Sequence, residues 1–500
     1  MKKLNIIHKT LFVFVISYFG LGCNKITNIN VSPNNPPLTS ATPQILLPSA
    51  VASTASRVGG ELAILGGIWS QYWAQSNTSN QYKNMDSYNL IRTDLNGNYT
   101  ELFAGALEDY SLVNTQAKAA GQWQYYLMST VMEAYTYEVL VDLYDQVPYS
   151  QALQNNANIQ PKFDDGYTIY KALIAQIDAA LAQNYNLAVT GGDIIFGGST
   201  TEMADWVQFA NTLELKMYLR MINAHPTDAQ TGVQKLFTSP NFLSKDAGIA
   251  STYFTNAASK DNPLYDYNTR TLNTATNLRA SYTFTSFLTG SNDPRTTVYF
   301  GTATPVFMHQ GDYTATQIQA PSYNTATLPV EKPTDPVIFL SAAESYFLQA
   351  EALQRYYAGA GAQTAYESGI TASFVAEGLT SAQATTYYSQ ALTNVSWASS
   401  TDKLQAILTQ KWVSLAFGCH ELEAFFSQEC TGYPLTSAVY SRKSDFTVNP
   451  AYVPGQWVYS PNGVTGGLFP KRLVFPDVER QRNNNTPAEV PLTTKVWWGK

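Results

Sequence analysis

The chain has 500 residues, of which 45% are hydrophobic and only 13% charged, with a formal net charge of −7. A disordered chain exchanges hydrophobicity for charge, so this composition excludes disorder, and the acidic balance excludes the basic face that a nucleic-acid binder needs. The unusual fraction is aromatic, at 13%, with 33 Tyr, 23 Phe and 9 Trp.

Lys2, Lys3 and Lys9 precede an apolar run, Thr10 to Gly22, which ends at Cys23. A run of this length is short of the roughly 20 residues that span a bilayer but suits a secretory signal. Residues 1–22 therefore read as a lipoprotein signal peptide and Cys23 as the acylated first residue of the mature chain. Residues 23–40, with Pro33, Pro36 and Pro37, read as an extended tether. No later segment offers 18 uninterrupted apolar residues, so acyl chains are expected to be the membrane anchor.

Proline positions divide the remainder, residues 41–500. Between residues 49 and 224 only Pro148 and Pro161 occur, and none lies between 337 and 430. These two regions, about 44–224 and 337–430, carry a 3.6-residue apolar period. Its stripes include Met132, Tyr135, Val139 and Leu143, then Tyr170, Ile174 and Ile177, then Trp206, Ala210, Leu213 and Met217. In the second region Ser341 and Glu344 have capping-box spacing before Phe347 and Ala350; Tyr366, Ile370 and Phe374 follow, then Ile407, Leu408 and Trp412. Trp412 and Tyr346 are expected to be buried scaffold residues. The pattern predicts a mainly α protein, a tetratricopeptide-like scaffold of helical hairpins without a strict repeat. Insertions at about 225–336 and 431–495 are expected to be folded, carrying short helices and strands, because their many rings argue against disorder.

Phosphate-binding loops, dinucleotide fingerprints and nucleophile elbows are all missing. The histidines, His8, His225, His309 and His420, are scattered, and His420-Glu421 lacks the second His of a zinc-protease helix. Neither a metal nor a cofactor is expected. Asp142 with Asp145, or Glu421 with Glu423, are conceivable hydrolytic pairs, but solvated helix faces are the simpler expectation. Cys419 and Cys430 are expected to be free thiols, since a helix over 419–429 would hold them roughly 16 Å apart, beyond the reach of a disulfide.

Several stretches resemble the SusD/RagB-like outer-membrane lipoproteins, in their SusD-like 2 branch. Asn28 to Pro36 resembles the family's tether, and Trp69-Ser70-Gln71-Tyr72-Trp73-Ala74-Gln75 its first long helix. Asp142-Leu143-Tyr144-Asp145-Gln146-Val147-Pro148-Tyr149, Trp206 to Leu213, Asp293-Pro294-Arg295, Ala343 to Ala352, Pro470 to Pro476 and Lys495 to Trp498 follow in family order. One departure is Glu429-Cys430, where the family tends to carry a basic pair. The resemblance implies a surface-facing outer-membrane lipoprotein that is not an enzyme. It would bind a nutrient, a glycan or a peptide, and deliver it to a SusC-like TonB-dependent transporter. A surface glycoside hydrolase, needing carboxylates about 5–9 Å apart, and a structural or adhesive lipoprotein are the other readings.

Loop-borne rings are the candidate ligand contacts, because a ring on a helical stripe is committed to the core. Trp73 lies before the polar run Ser76 to Asn80, with Tyr82 and Tyr88 following among Asn, Lys and Asp. Tyr265 and Tyr267 have the i, i+2 spacing that would point both rings to one side of an extended strand.

Overall fold

The computed structural model describes residues 41–314, 325–440 and 450–500. The expected signal, the tether and Cys23 lie outside the described residues.

The N-terminal half is built from helices α1 (Pro43–Val58), α2 (Glu61–Trp69), α3 (Glu108–Ala120), α4 (Trp123–Tyr144), α5 (Gly166–Leu181) and α6 (Glu202–Arg220). Helix α4 is buried on nearly every side, which is why its sequence is apolar or aromatic all round and not on one stripe. Three hydroxyls tie it to its neighbours: Thr54 on α1 lies 3.0 Å from the hydroxyl of Tyr110 on α3 and 3.2 Å from that of Thr136 on α4. Helix α5 enters through Asp165, whose carboxylate accepts the Thr168 N–H at 2.9 Å.

Helix α7 (Pro226–Phe237) opens the first insertion, which also holds α8 (Tyr282–Gly290) and α9 (Arg295–Phe300). Then come α10 (Ala342–Tyr356), α11 (Ala362–Ala376), α12 (Ser381–Tyr388), α13 (Lys403–Ser414) and α14 (Glu421–Thr431). Short links make α3–α4 and α10–α11 helical hairpins, as the sequence predicts. Close approach relies on small residues opposite large ones: a Cβ on Gly369 of α11 would sit 2.9 Å from the Phe347 ring of α10.

Three antiparallel two-stranded ladders pin the loops to this scaffold. Strand β1 (Trp73–Gln75) pairs with β5 (Leu278–Ala280), β2 (Gln146–Pro148) with β3 (Phe163–Asp165), and β4 (Ala247–Ile249) with β6 (Val337–Leu340). In the first ladder Trp73 faces Ala280 and Gln75 faces Leu278. The insertion is thus folded, and joined to the scaffold at both ends.

Three local expectations are corrected. Trp69 to Gln75 is not one helix: α2 stops at Trp69, Gln71 takes a positive φ of 62°, and Trp73 begins a strand. Ser341 accepts the Glu344 N–H at 3.0 Å, yet the Glu344 carboxylate faces Lys411 at 3.7 Å and does not complete the box. The reciprocal box occurs instead at Thr380 and Gln383. Trp412 is buried as expected, whereas Tyr346 is half-buried.

Candidate functional site

Three of the five candidate rings are interior. Trp73 is 0% exposed, edge-on to Phe417 at 5.5 Å and laid against Gly67, where a Cβ would come within 2.3 Å of the indole. Tyr82 is 4% exposed, and its N–H donates to Gln75 Oε1 at 2.6 Å. The Gln75 amide also donates to the Ser76 and Ser79 carbonyls, so the polar run is a turn closed on itself. Tyr88 is 2% exposed and packs on Tyr459 at 5.5 Å and Phe469 at 6.3 Å. The sequence around Tyr88 shows little apolar company because its ring partners come from the C-terminal insertion. None of these three rings presents a face to a ligand.

Tyr265 and Tyr267 are half-buried, but their extended-strand expectation is corrected. Asn262 accepts the Tyr265 N–H at 3.1 Å and Pro263 follows at the first helical position, so residues 263–270 turn helically. Residues two apart on a helix point roughly 200° apart, and the rings diverge. The Arg270 guanidinium lies 5.5 Å over Tyr265, while Arg57 donates to the Tyr267 hydroxyl at 2.7 Å.

An accessible aromatic groove lies instead along α8. It encloses about 450 Å³ between Tyr282, Ser286 and Thr289 on the helix and Thr304, Pro305 and Phe307 opposite. Ser281 caps α8 by accepting the Phe284 N–H at 3.2 Å, and the Tyr282 N–H donates to the Met308 carbonyl at 2.7 Å. That second bond seats the segment carrying Phe307 beside the helix start. Tyr282 then meets Phe307 at 4.8 Å, His309 at 4.3 Å and Tyr452 at 4.9 Å. Burial pushes His309 down to about 4, so this ring cluster is uncharged at neutral pH. Ser286 donates its hydroxyl proton to the Thr283 carbonyl at 2.9 Å, and Thr289 donates to Thr285 at 2.7 Å. Ser286 also accepts the Gly455 N–H at 3.3 Å and lies within hydrogen-bonding reach of the Tyr452 hydroxyl. Among the described residues no Asp, Glu, Lys or Arg lines the groove. The sequence signal was present: Tyr282, Ser286 and Thr289 sit at i, i+4, i+7, one polar-aromatic stripe opposite Phe284, Phe287 and Leu288.

The carboxylates proposed as solvated helix faces are in part interior, which is a correction. Asp142 and Glu423 belong to a buried ion cluster in which Lys216 lies 2.8 Å from Glu138, Arg220 lies 3.3 Å from Asp142, and Lys411 lies 3.2 Å from Glu423. Trp498 donates its indole N–H to Asp142 at 2.7 Å. Burial alone would raise Glu423, but Arg220, Lys411 and Lys216 hold it down to about 2. Glu138 is pushed up to about 8, chiefly by burial. Asp145 is only partly buried, facing Arg472 at 3.5 Å, and Glu421 is fully buried, its carboxyl pushed up to about 8 by burial. Asp142, Glu421 and Glu423 are committed to the interior, and the hollow beside Asp142 and Glu423 encloses only about 20 Å³. Among the described residues no set of side chains could hold a metal ion. Cys419 and Cys430 are free and buried, although Cys419 precedes α14 with φ 68° and is not part of the helix. The departure Glu429-Cys430 is also interior, with Lys471 at 2.5 Å from Glu429.

The sequence model of the family described as "Starch-binding associating with outer membrane" matches residues 33–459. The chain belongs to the SusD-like family. No curated protein matches it in sequence. Among solved structures, this SusD-like chain resembles a SusD homologue from Bacteroides uniformis, with 21% identity and a TM-score of 0.69, over 91% of this chain and 99% of that one. A chitin-binding SusD homologue from Flavobacterium johnsoniae shares 21% identity at a TM-score of 0.71, over 90% and 98% of the two chains. A further structure titled chitin-binding protein gives a TM-score of 0.72 at 18% identity, over 92% and 100%. These likenesses establish the fold. No helix among the described residues is long and apolar enough to cross a membrane.

Proposed function

We propose that this SusD-like protein captures a glycan at the outer-membrane surface and hands it to a SusC-like TonB-dependent transporter. Cleavage after residue 22 and acylation of Cys23 would hold residues 41–500 on the membrane through the tether 23–40. The observation that carries the ligand reading is the α8 groove, which joins the tilted ring pair Tyr282 and Phe307 to hydroxyl oxygens at Ser286 and Thr289. Sugar rings offer apolar faces to stack and hydroxyls to donate, and such amphipathic contacts suit Tyr. The absence of charge along the groove favours a glycan over a peptide, whose termini and side chains bring charges. The chitin-binding titles of two structural relatives support the same class. Tyr265 and Tyr267 are retained as separate, secondary contacts.

The protein is read as a binder without turnover, since Asp142, Glu421 and Glu423 of the conceivable carboxylate pairs are taken up in the interior. Calorimetry against a panel of soluble oligosaccharides tests this. One glycan is expected to bind, to be released unchanged, and to lose about tenfold in affinity on Tyr282→Ala, as expected for about 1.4 kcal/mol of stacking. Binding that survives both Tyr282→Ala and Phe307→Ala would place the site elsewhere, and oligosaccharide cleavage would revive the hydrolase reading.

A further inference from the structure

The α8 groove does not stop at Thr289. The Asn292 N–H donates to the Thr289 carbonyl at 3.2 Å, and Asn292 opens a second hollow of about 470 Å³ against α12, within the size range of small-molecule sites. Thr289 and Gly290 line the groove, and Asn292 and Pro294 line the hollow. Thr289, Gly290 and Asn292 are all exposed, so the two spaces adjoin across a solvent-facing turn. That turn is fixed. Asn292 takes a left-handed φ of 51°, which Asn tolerates better than most residues, and Asp293 is tied to Arg295 at 2.6 Å with both side chains 0% exposed. The end of α12 is fastened to the same turn: Gln390 donates to the Ser291 carbonyl at 3.0 Å, and Asn292 donates to Gln390 Oε1 at 3.3 Å.

The hollow repeats the uncharged chemistry of the groove, since no Asp, Glu, Lys or Arg among the described residues lines it. Tyr387 is its buried wall, with a hydroxyl that accepts the Gln410 amide at 3.0 Å. Gln383 and Thr386, three residues apart on α12, share one exposed helix face. The polar groups keep hydrogen-bonding capacity. Gln383 uses its Oε1 on the Thr380 N–H at 2.9 Å, which leaves its Nε2 to donate. Asn292 uses its amide on Gln390, which leaves its Oδ1 to accept. Thr386 donates to the Ala382 carbonyl at 3.0 Å, which leaves its oxygen to accept. Neutral donors and acceptors side by side suit sugar hydroxyls, which both give and take hydrogen bonds, whereas an ionic ligand would find no counter-charge. A helix rises about 1.5 Å per residue, so Tyr282 to Thr289 spans about 10 Å, the length of a disaccharide. A ligand that also reaches Gln383 must be longer.

We propose, resting on the glycan reading of the α8 groove, that groove and hollow form one extended cleft for a neutral oligosaccharide longer than a disaccharide, with Asn292, Gln383 and Thr386 as its second subsite. The test titrates the purified full-length chain by calorimetry with matched disaccharides and tetrasaccharides of the cello-, malto- and N-acetylchito-oligosaccharide series. In the series that binds, the tetrasaccharide is expected to bind about tenfold tighter than the disaccharide, as one or two further neutral hydrogen bonds give. Thr386→Trp fills the hollow from an exposed position. It should bring the tetrasaccharide down to the affinity of the disaccharide, with the disaccharide's own affinity and the melting temperature unchanged. Asn292→Gly, which keeps the left-handed turn and removes the amide, should weaken the tetrasaccharide alone. Tyr282→Ala should weaken both lengths. A tetrasaccharide that binds no tighter than its disaccharide, or that keeps full affinity in Thr386→Trp, would overturn the extended cleft, and continued weakening of both lengths by Tyr282→Ala would leave the glycan reading intact. Equal weakening of both lengths by Thr386→Trp would also overturn the second subsite. Absence of binding by every one of these sugars at millimolar concentration would overturn the cleft and the glycan reading together.

Discussion

The Arg220 guanidinium meets the Glu423 carboxylate at 2.7 Å in the protein interior, joining the end of α6 to α14 across 203 positions of sequence. Around this contact, Lys216 and Lys411 serve the same carboxylate from α6 and α13. Three cations on one anion explain why Glu423 alone among the cluster's carboxylates is driven below its ordinary range while Glu138, Asp142 and Glu344 are raised by burial. Glu423→Gln would leave cations buried without their main partner. The expected cost is about 3–5 kcal/mol, measured by urea denaturation, and a variant as stable as the parent would show the cluster to be incidental.

The same burial sets a pH dependence. Glu133 and Glu331 are pushed up to about 7, and Glu138 and Glu421 to about 8, from an ordinary 4.5. Between those limits the native state keeps protons that the unfolded chain has released, so stability falls as pH rises across the window. Glu423 acts in the opposite sense: its contribution is complete above 4.5 and is lost as pH falls toward 2. Scanning calorimetry should therefore find a higher melting temperature near about pH 5.5 than near about pH 8, and a sharp fall at strongly acidic pH.

Cys419 and Cys430 should both be inert to thiol reagents in the native protein. Burial raises both thiols, Cys430 to about 12, and thiolate is the reactive form. Both should react within minutes in denaturant without prior reduction. A requirement for reductant would reveal a disulfide that the structure does not contain.

Gly369→Ala should destabilise by about 1–3 kcal/mol through overpacking, because its Cβ would enter the Phe347 ring space at 2.9 Å. Phe347→Leu in the same chain should recover part of the loss. Independent, additive effects would indicate that α10 and α11 do not interlock there.

Tyr88→Ala should lower stability by about 3–5 kcal/mol, the usual cost of emptying a buried aromatic position, and leave glycan affinity unchanged in the folded fraction. Cys23→Ala should release the protein from the membrane fraction; retention would refute the lipid anchor.

The helical hairpins were legible because the 3.6-residue period of Trp206, Ala210, Leu213 and Met217 reports local geometry, and local geometry is written in neighbouring residues. What Trp73, Tyr82 and Tyr88 do was not legible. Each sits among polar neighbours, and burial is supplied from afar: for Trp73 by Phe417, for Tyr88 by Tyr459 and Phe469. Asp142 and Glu423 read as surface charge because their counter-ions, Arg220, Lys216 and Lys411, lie on other helices. Tyr282 and Phe307 lie well apart in the sequence and meet only because the Tyr282 N–H bonds to Met308 beside α8. Sequence by itself determined the long helices with a clear 3.6-residue period, since backbone hydrogen bonding there is decided within a few residues, but not the short segments 69–75 and 263–270. Tertiary structure alone decided which rings and charges face water, because burial is a property of what packs against a residue, and that partner came from elsewhere in the chain.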